Sequence, residues 1–158
     1  MSAQSDPCAG TEFRQFDFWL GEWNLTWPAE QTGGKEGDVG TGTNAILPLF
    51  DGCGVEESFS TTDGSFQGRS FSIYDQRSGM WKQTWVDNQG GYLSFRGSYA
   101  NNTMELRTET EEREGETVVQ RMVFRSITPE SLKWDWQGSR DGGQNWNDLW
   151  NVTYERKV

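Results

Sequence analysis

Tryptophan recurs along this chain at spacings of two and four residues: Trp19, Trp23 and Trp27; Trp81 and Trp85; Trp134 and Trp136; Trp146 and Trp150. Side chains alternate across an extended strand with period two, so this spacing puts the indoles on one face. A chain built of such strands carries large rings on one side of its sheet and polar groups on the other. The pattern predicts an all-β fold, a β-barrel or sandwich whose interior is lined with aromatic rings.

At 158 residues the chain is long enough for one domain with a buried core. Residues 1–10 read as a flexible N-terminal arm and residues 11–158 as the barrel domain. Leu, Ile, Val and Phe are scarce and the net charge is −10, a combination that alone suggests disorder. Nine Trp and four Tyr restore the missing apolar area. The acid excess argues against nucleic acid and against anionic lipid surfaces as partners. No apolar run approaches the ~18 residues of a membrane span. Histidine is absent, which removes the commonest metal ligand and the commonest acid–base group. No metal and no cofactor are therefore expected, and the sequence sets no oligomeric state. Met1–Gly10 is polar and shows no leader, as in a cytoplasmic chain or an exported one whose signal peptide has been removed. Cys8 and Cys53 are either two free thiols or a bridge tying the arm to the barrel; a bridge would imply export.

Within Thr11–Leu20, Phe13, Phe16 and Leu20 follow a helical spacing with Thr11 as N-cap, which predicts a short helix closing one end of the barrel. Gly21-Glu22-Trp23 opens the first strand. Later hairpins can be registered by turn signals and by matching faces. A three-residue loop at Thr62-Asp63-Gly64 pairs Val55 with Phe71 and Glu57 with Arg69. A loop at Ser78-Gly79 pairs Ile73 with Trp81, and Arg69 with Trp85. Further on, Trp85 pairs with Leu93, Tyr99 with Met104 across Asn101-Asn102, Met104 with Met122, and Trp134 with Phe124. These registers collect Val55, Phe71, Ile73, Trp81, Trp85, Leu93, Phe95, Tyr99, Met104, Leu106, Val118, Met122, Phe124, Leu132, Trp134 and Trp136 inside. Lys82, Arg96, Glu105, Arg107, Glu109, Arg121, Arg125, Lys133 and Asp135 fall outside. Gly97, opposite Trp81, leaves room for an indole. Near the end, Ser139-x-Asp141-x-Gly143-x-x-Trp146 matches an Asp-box hairpin, read here as a fold-stabilising turn.

Phe16-Asp17-Phe18-Trp19-Leu20-Gly21-Glu22-Trp23 resembles the opening of a widespread bacterial family of calycin-like proteins of unknown function. The similarity continues through Asp51-Gly52-Cys53, Ile73-Tyr74-Asp75, Trp81-x-Gln-x-Trp85-Val-Asp87 and the Ser139–Trp146 box, and so covers about residues 11–156. Gly21-x-Trp23 is also similar to the first-strand signature of lipocalins, in which the Trp closes the barrel floor. The resemblance implies a single antiparallel up-and-down, lipocalin-like barrel, here of about 8–10 strands. It also implies export for many members, which supports the Cys8–Cys53 bridge. It implies no reaction.

The polar residues assigned to the interior are Glu57, Arg69, Gln83, Gln120, Tyr99, Asp148 and Tyr154. A barrel of about ten strands is wider than its side chains fill, so a cavity is expected. Few placed polar groups among apolar walls is the usual make-up of a small-molecule pocket. The first expectation is therefore binding of a small apolar or aromatic molecule, lined by Trp81, Trp85, Phe95, Tyr99, Trp134 and Trp136. Arg69, Gln83 and Gln120 would supply the polar contacts. A second is a cofactor-free isomerase, lyase or cyclase using Glu57 as acid or base, Arg69 to hold it and Tyr99 as proton donor. A third is a non-catalytic interaction module whose Trp residues fill the core. Asp87, at a rim turn, reads as turn-forming.

Overall fold

The structure is a computed structural model that describes residues 5–158; the first four residues of the predicted arm lie outside the described ones. Eleven strands follow in chain order: β1 Gly21–Pro28, β2 Val39–Leu49, β3 Gly54–Thr61, β4 Gln67–Asp75, β5 Met80–Asp87, β6 Tyr92–Ala100, β7 Thr103–Arg107, β8 Glu111–Arg113, β9 Glu116–Arg125, β10 Ser131–Ser139 and β11 Asn147–Arg156. Each pairs antiparallel with its chain neighbour, except that β7 pairs with β9, and β11 returns to β1. Ten strands therefore close an up-and-down barrel, and β8 is a short flap on β9. Closure leaves no open barrel edge for another chain to extend.

The predicted short helix is present as two consecutive 3₁₀ turns, Thr11–Arg14 and Asp17–Trp19. Gly10, not Thr11, holds the N-cap position, with no side-chain cap. The buried residues are Phe13, Phe16 and Trp19, a spacing of three that suits the tighter helix; Leu20 is only half-buried. This segment plugs one end of the barrel. Phe16 meets Trp19, Trp81 and Phe124 at ring-centroid distances of 5.0 to 5.3 Å. Trp23 lies beside them, fully buried, with the Arg156 guanidinium 4.1 Å from its ring centroid. The arm is tied to the same end: Cys8 is bonded to Cys53.

The expected registers hold for β5–β6, β6–β7 and β9–β10, where Trp81 faces Gly97, Tyr99 faces Met104 and Trp134 faces Phe124. Asn101 and Asn102 both take positive φ, 53° and 57°, as a two-residue hairpin turn requires. On the outer face Lys82, Arg96, Arg107 and Arg121 are successive cross-strand partners, as predicted. Asp135, also expected outside, is buried beneath Arg125 and Asn151, which donate to it, and Glu109 lies between strands.

Strand β4 is a correction. Glu57 pairs with Ser70 and Val55 with Ser72, so Arg69, Phe71 and Ile73 point outward and are exposed. The loop after β3 is one residue longer than expected. Asp63 accepts from the Ser65 backbone N–H at 3.0 Å, and Thr61 N–H donates to Phe66 O at 3.0 Å. An added residue turns every side chain of the next strand over. The loop after β4 is lengthened in the same way: Asp75 pairs with Met80, and Asp75 Oδ1 accepts from Arg77 N at 3.0 Å. The second slip cancels the first, which confines the error to β4.

Between β7 and β9 the register moves by two, so Met104 faces Phe124 and not Met122. The faces survive, but β9 leaves the barrel early to pair with β8. Val118 is then only half-buried, while Val119 is buried. At Gly97 the crowding neighbour is the Glu105 carbonyl of β7 and not the Trp81 indole.

Candidate functional site

At the end opposite the plug the barrel opens into a cavity of about 820 Å³. Its mouth is formed by the loops after β1, β3 and β5 and by the top of β11. Trp27, Trp85, Trp134, Trp136 and Trp150 wall it, with Phe59, Phe66 and Phe95. Alternation on β1, β3, β5, β6, β10 and β11 delivers these rings inward, except Phe66, which the loop after β3 supplies. Trp150 stands nearly perpendicular to Trp27, Trp134 and Phe59, at 88°, 88° and 89°, with centroids 5.3 to 5.7 Å apart. Edge-to-face contacts of this kind satisfy the ring quadrupoles and hold the walls apart. Glycines give the indoles somewhere to lie. A methyl at Gly68 would overlap the Trp85 ring, and one at Gly40 would overlap the Trp27 indole.

The cavity base is polar and buried. Glu57 accepts from Asn44 Nδ2 at 2.6 Å and from Ser70 Oγ at 2.6 Å. Asn44 Nδ2 also donates to the Tyr154 hydroxyl at 2.9 Å. Burial raises the Glu57 carboxyl above its ordinary value, against the lowering pull of the Ser70 and Asn44 hydrogen bonds. Burial first, and the Glu57 carboxyl second, raise the Tyr154 phenol. Gln83 donates from Nε2 to Ser72 Oγ at 2.9 Å, and its buried Oε1 has no partner among the described residues. The indole N–H of Trp150 is likewise unpartnered. A bound molecule would thus rest on a floor that includes the Glu57, Gln83 and Tyr154 side chains.

A raised carboxyl pKa contributes stability that is fully present below the unfolded value and is lost as pH rises through the folded one. Glu57→Gln keeps the shape and both contacts, since the amide accepts from Asn44 and donates to Ser70. The wild type is expected to lose unfolding free energy between pH 5 and alkaline pH, whereas Glu57→Gln keeps a flatter profile. Urea unfolding across that range reads both, and parallel profiles would mean that Glu57 does not titrate in the fold. Asp63, Asp75 and Asp141 sit at about 2, held by local hydrogen bonds and, for Asp75, chiefly by Lys82. Their contribution is lost only as pH falls towards that value, so they leave the window clear.

Of the residues singled out in the sequence, Gln83, Trp85, Phe95, Trp134, Trp136 and Glu57 line this cavity, as does Tyr154. The others lie elsewhere. Arg69 is on the outer face, exposed, for the register reason given above. Trp81 is fully buried in the plug, its Nε1 donating to Gln15 Oε1 at 3.0 Å. Tyr99 is near the plugged end, stacked on Phe18, with its hydroxyl 3.3 Å from Asn102 Oδ1. Gln120 lines a separate hollow beside Val118 and Gly138. Asp148 is exposed and accepts from Gln137 at 2.8 Å. The Glu57, Arg69 and Tyr99 constellation is thus not assembled.

Sequence reasoning missed Asn44, Ser70, Ser72, Trp27, Phe59, Phe66 and Trp150. Trp27 and Trp150 stood in the spaced runs, and Gly40, opposite Trp27, marks its resting place. Asp87 does more than form its turn. It accepts from Trp85 Nε1 at 2.8 Å and from Gly91 N at 2.9 Å, at the mouth. The Asp box is built as expected, with Asp141 accepting from Gln144 and Asn145 backbone N–H at 3.0 and 2.9 Å. Trp146 lies beneath the Arg121 guanidinium, 4.1 Å from its centroid.

Among the described residues no three His, Cys, Asp or Glu side chains converge as a metal site, and no helix is long and apolar enough to cross a membrane. A search of curated proteins gives no match. The sequence profile of one family matches residues 9–156, and the chain belongs to that family, described as proteins of unknown function, DUF1579.

Proposed function

We propose that this barrel binds a small apolar or aromatic molecule in its tryptophan-lined cavity. The observation that carries the reading is the cavity itself: about 820 Å³, open at one end, walled by rings, with Glu57, Gln83 and Tyr154 among its lining. That volume falls within the usual range for small-molecule pockets, as does a wall of rings with few polar groups. Up-and-down topology with one plugged end supports the likeness to lipocalins. The Cys8–Cys53 bridge supports export to an oxidising compartment. A catalytic role has less support, because Arg69 and Tyr99 stand away from Glu57.

The test is tryptophan emission during a broad small-molecule screen, together with Trp85→Ala. Trp85 is half-buried and faces the cavity. The substitution is expected to weaken binding by about 1–3 kcal/mol through lost stacking and burial. Its stability loss should fall below the ~3–5 kcal/mol of a solid-core aromatic truncation. A large stability loss, with no molecule quenching the wild type, would make Trp85 a core residue and end the binding reading.

A further inference from the structure

We propose that the ligand of this cavity is an organic cation, a flat or cyclic ammonium or pyridinium held against the indole faces with its charge towards the carboxylates at the mouth. The inference rests on the binding reading above and adds the sign of the ligand's charge.

The first support is what lines the cavity. Among the described residues its titratable groups are Glu57, Asp63, Asp87 and Tyr154; no Lys or Arg reaches it. An anionic ligand would find no counter-charge there and would pass two carboxylates on entry. Those two are ionised near neutrality. The Ser65 backbone N–H, its hydroxyl and that of Thr61 hold Asp63 at about 2. Burial pushes Asp87 up, but the Trp85 indole N–H and the Gly91 and Gln89 backbone N–H groups outweigh it, and its carboxyl stays below the ordinary range.

The second support is the ring geometry. A cation is attracted to the negative face of an aromatic ring. Trp27, Trp134 and Phe59 spend their edge-to-face contacts on Trp150, whereas Trp85, half-buried on the same cavity wall, is only tilted against Phe59 and Phe66. The Trp85 N–H donates to the Asp87 carboxylate, and that bond leaves the ring face richer in electron density. Elsewhere the chain satisfies its indoles with its own arginines, Arg156 on Trp23 and Arg121 on Trp146. The cavity indoles have no such partner among the described residues.

The third support is the field around the mouth. The loops that form the mouth, after β1, β3 and β5, carry Lys35 as their one base among the described residues, against Glu30, Glu36, Asp38 and Asp63. With a net charge of −10, the field draws cations to this end and repels anions.

The test is calorimetric titration of the full, disulfide-bonded chain with three probes of similar shape: N-methyl-4-phenylpyridinium, biphenyl-4-methanol and biphenyl-4-carboxylate. The cation is expected to bind at least tenfold more tightly than the neutral alcohol, with the carboxylate weakest, and its affinity is expected to fall as salt is raised. Asp87→Asn should weaken the cation several-fold and leave the alcohol unchanged. The alcohol titration also reports whether that variant keeps its cavity; if it does not, the three probes and the salt series in the wild type decide alone. Equal or tighter binding of the alcohol or the carboxylate overturns the charge assignment while leaving the cavity a binding site. Failure of all three to bind overturns the cation proposal, and the emission screen above then decides separately whether the cavity binds anything else.

Discussion

Trp23→Ala is expected to cost about 3–5 kcal/mol of unfolding free energy, the range for truncating a fully buried large aromatic. The residue has no exposed surface, and three contacts converge on it. Its Nε1 donates to the Trp19 carbonyl at 2.8 Å, which fixes the last turn of the plug. Tyr154 meets its ring edge-on at 5.7 Å, linking it to the polar base of the cavity. Arg156 covers its other side and donates to the Leu20 and Pro129 carbonyls at 2.6 and 2.9 Å. Truncation therefore leaves a void, an unpartnered carbonyl and an arginine above an empty floor. Trp23→Phe restores ring volume without the N–H and should recover roughly half of the loss. Urea midpoints for the two variants, set beside Trp85→Ala, separate floor from wall. A loss below about 1 kcal/mol for Trp23→Ala would mean that the plug, not this indole, seals the barrel.

The sequence made the barrel legible because its signals are local and repeated. Alternating tryptophans select faces, and turn pairs such as Asn101-Asn102 fix registers within a few residues of themselves. What stayed hidden was loop length. Asp63 and Asp75 each fold their own loop through a side-chain hydrogen bond to backbone two residues on, and each adds one residue. No hydrophobic pattern reports that addition, because Phe71 and Ile73 are apolar on the outer face while Ser70 and Ser72 face inward. The inward serines look like surface residues until Glu57 and Gln83 are placed opposite them.

The candidate site suffered from the same slip. Putting Arg69 inside supplied a cation for Glu57 and drew attention from the neutral groups that hold it. Asn44 carried no signal of its own, since a lone amide in a strand is usually solvated; only strand pairing brings it between Glu57 and Tyr154. The walls were more legible than the base. Trp85, Phe95, Trp134 and Trp136 followed from alternation on strands whose registers held.

Breaking the Cys8–Cys53 bridge is expected to lower stability by about 4 kcal/mol. The two cysteines are 45 residues apart, and a loop of that length loses this much denatured-state entropy in the chain-entropy account. For a chain of this size the loss corresponds to a fall of roughly 10 °C in Tm. The folded state adds a local reason. Cys53 follows a turn in which Phe50, Asp51 and Gly52 all hold positive φ, at 52°, 57° and 100°, conformations disfavoured for the two residues with a Cβ. The Leu49 carbonyl accepts from Gly52 and Cys53 N–H at 3.3 and 3.1 Å, and Arg14 of the plug donates to the Gly52 carbonyl. The bridge thus fastens the strained turn to the chain entering the plug. The measurement compares thermal and urea unfolding of the oxidised protein, the same protein under reductant, and Cys8→Ser/Cys53→Ser. Reduction and the double substitution should agree. The floor should loosen first, with early exposure of the plug amides to hydrogen exchange, while the strands around the open mouth keep their protection. Equal stability with and without the bridge would show that barrel closure alone fixes the plug, and would remove the support that the bridge lends to an oxidising compartment.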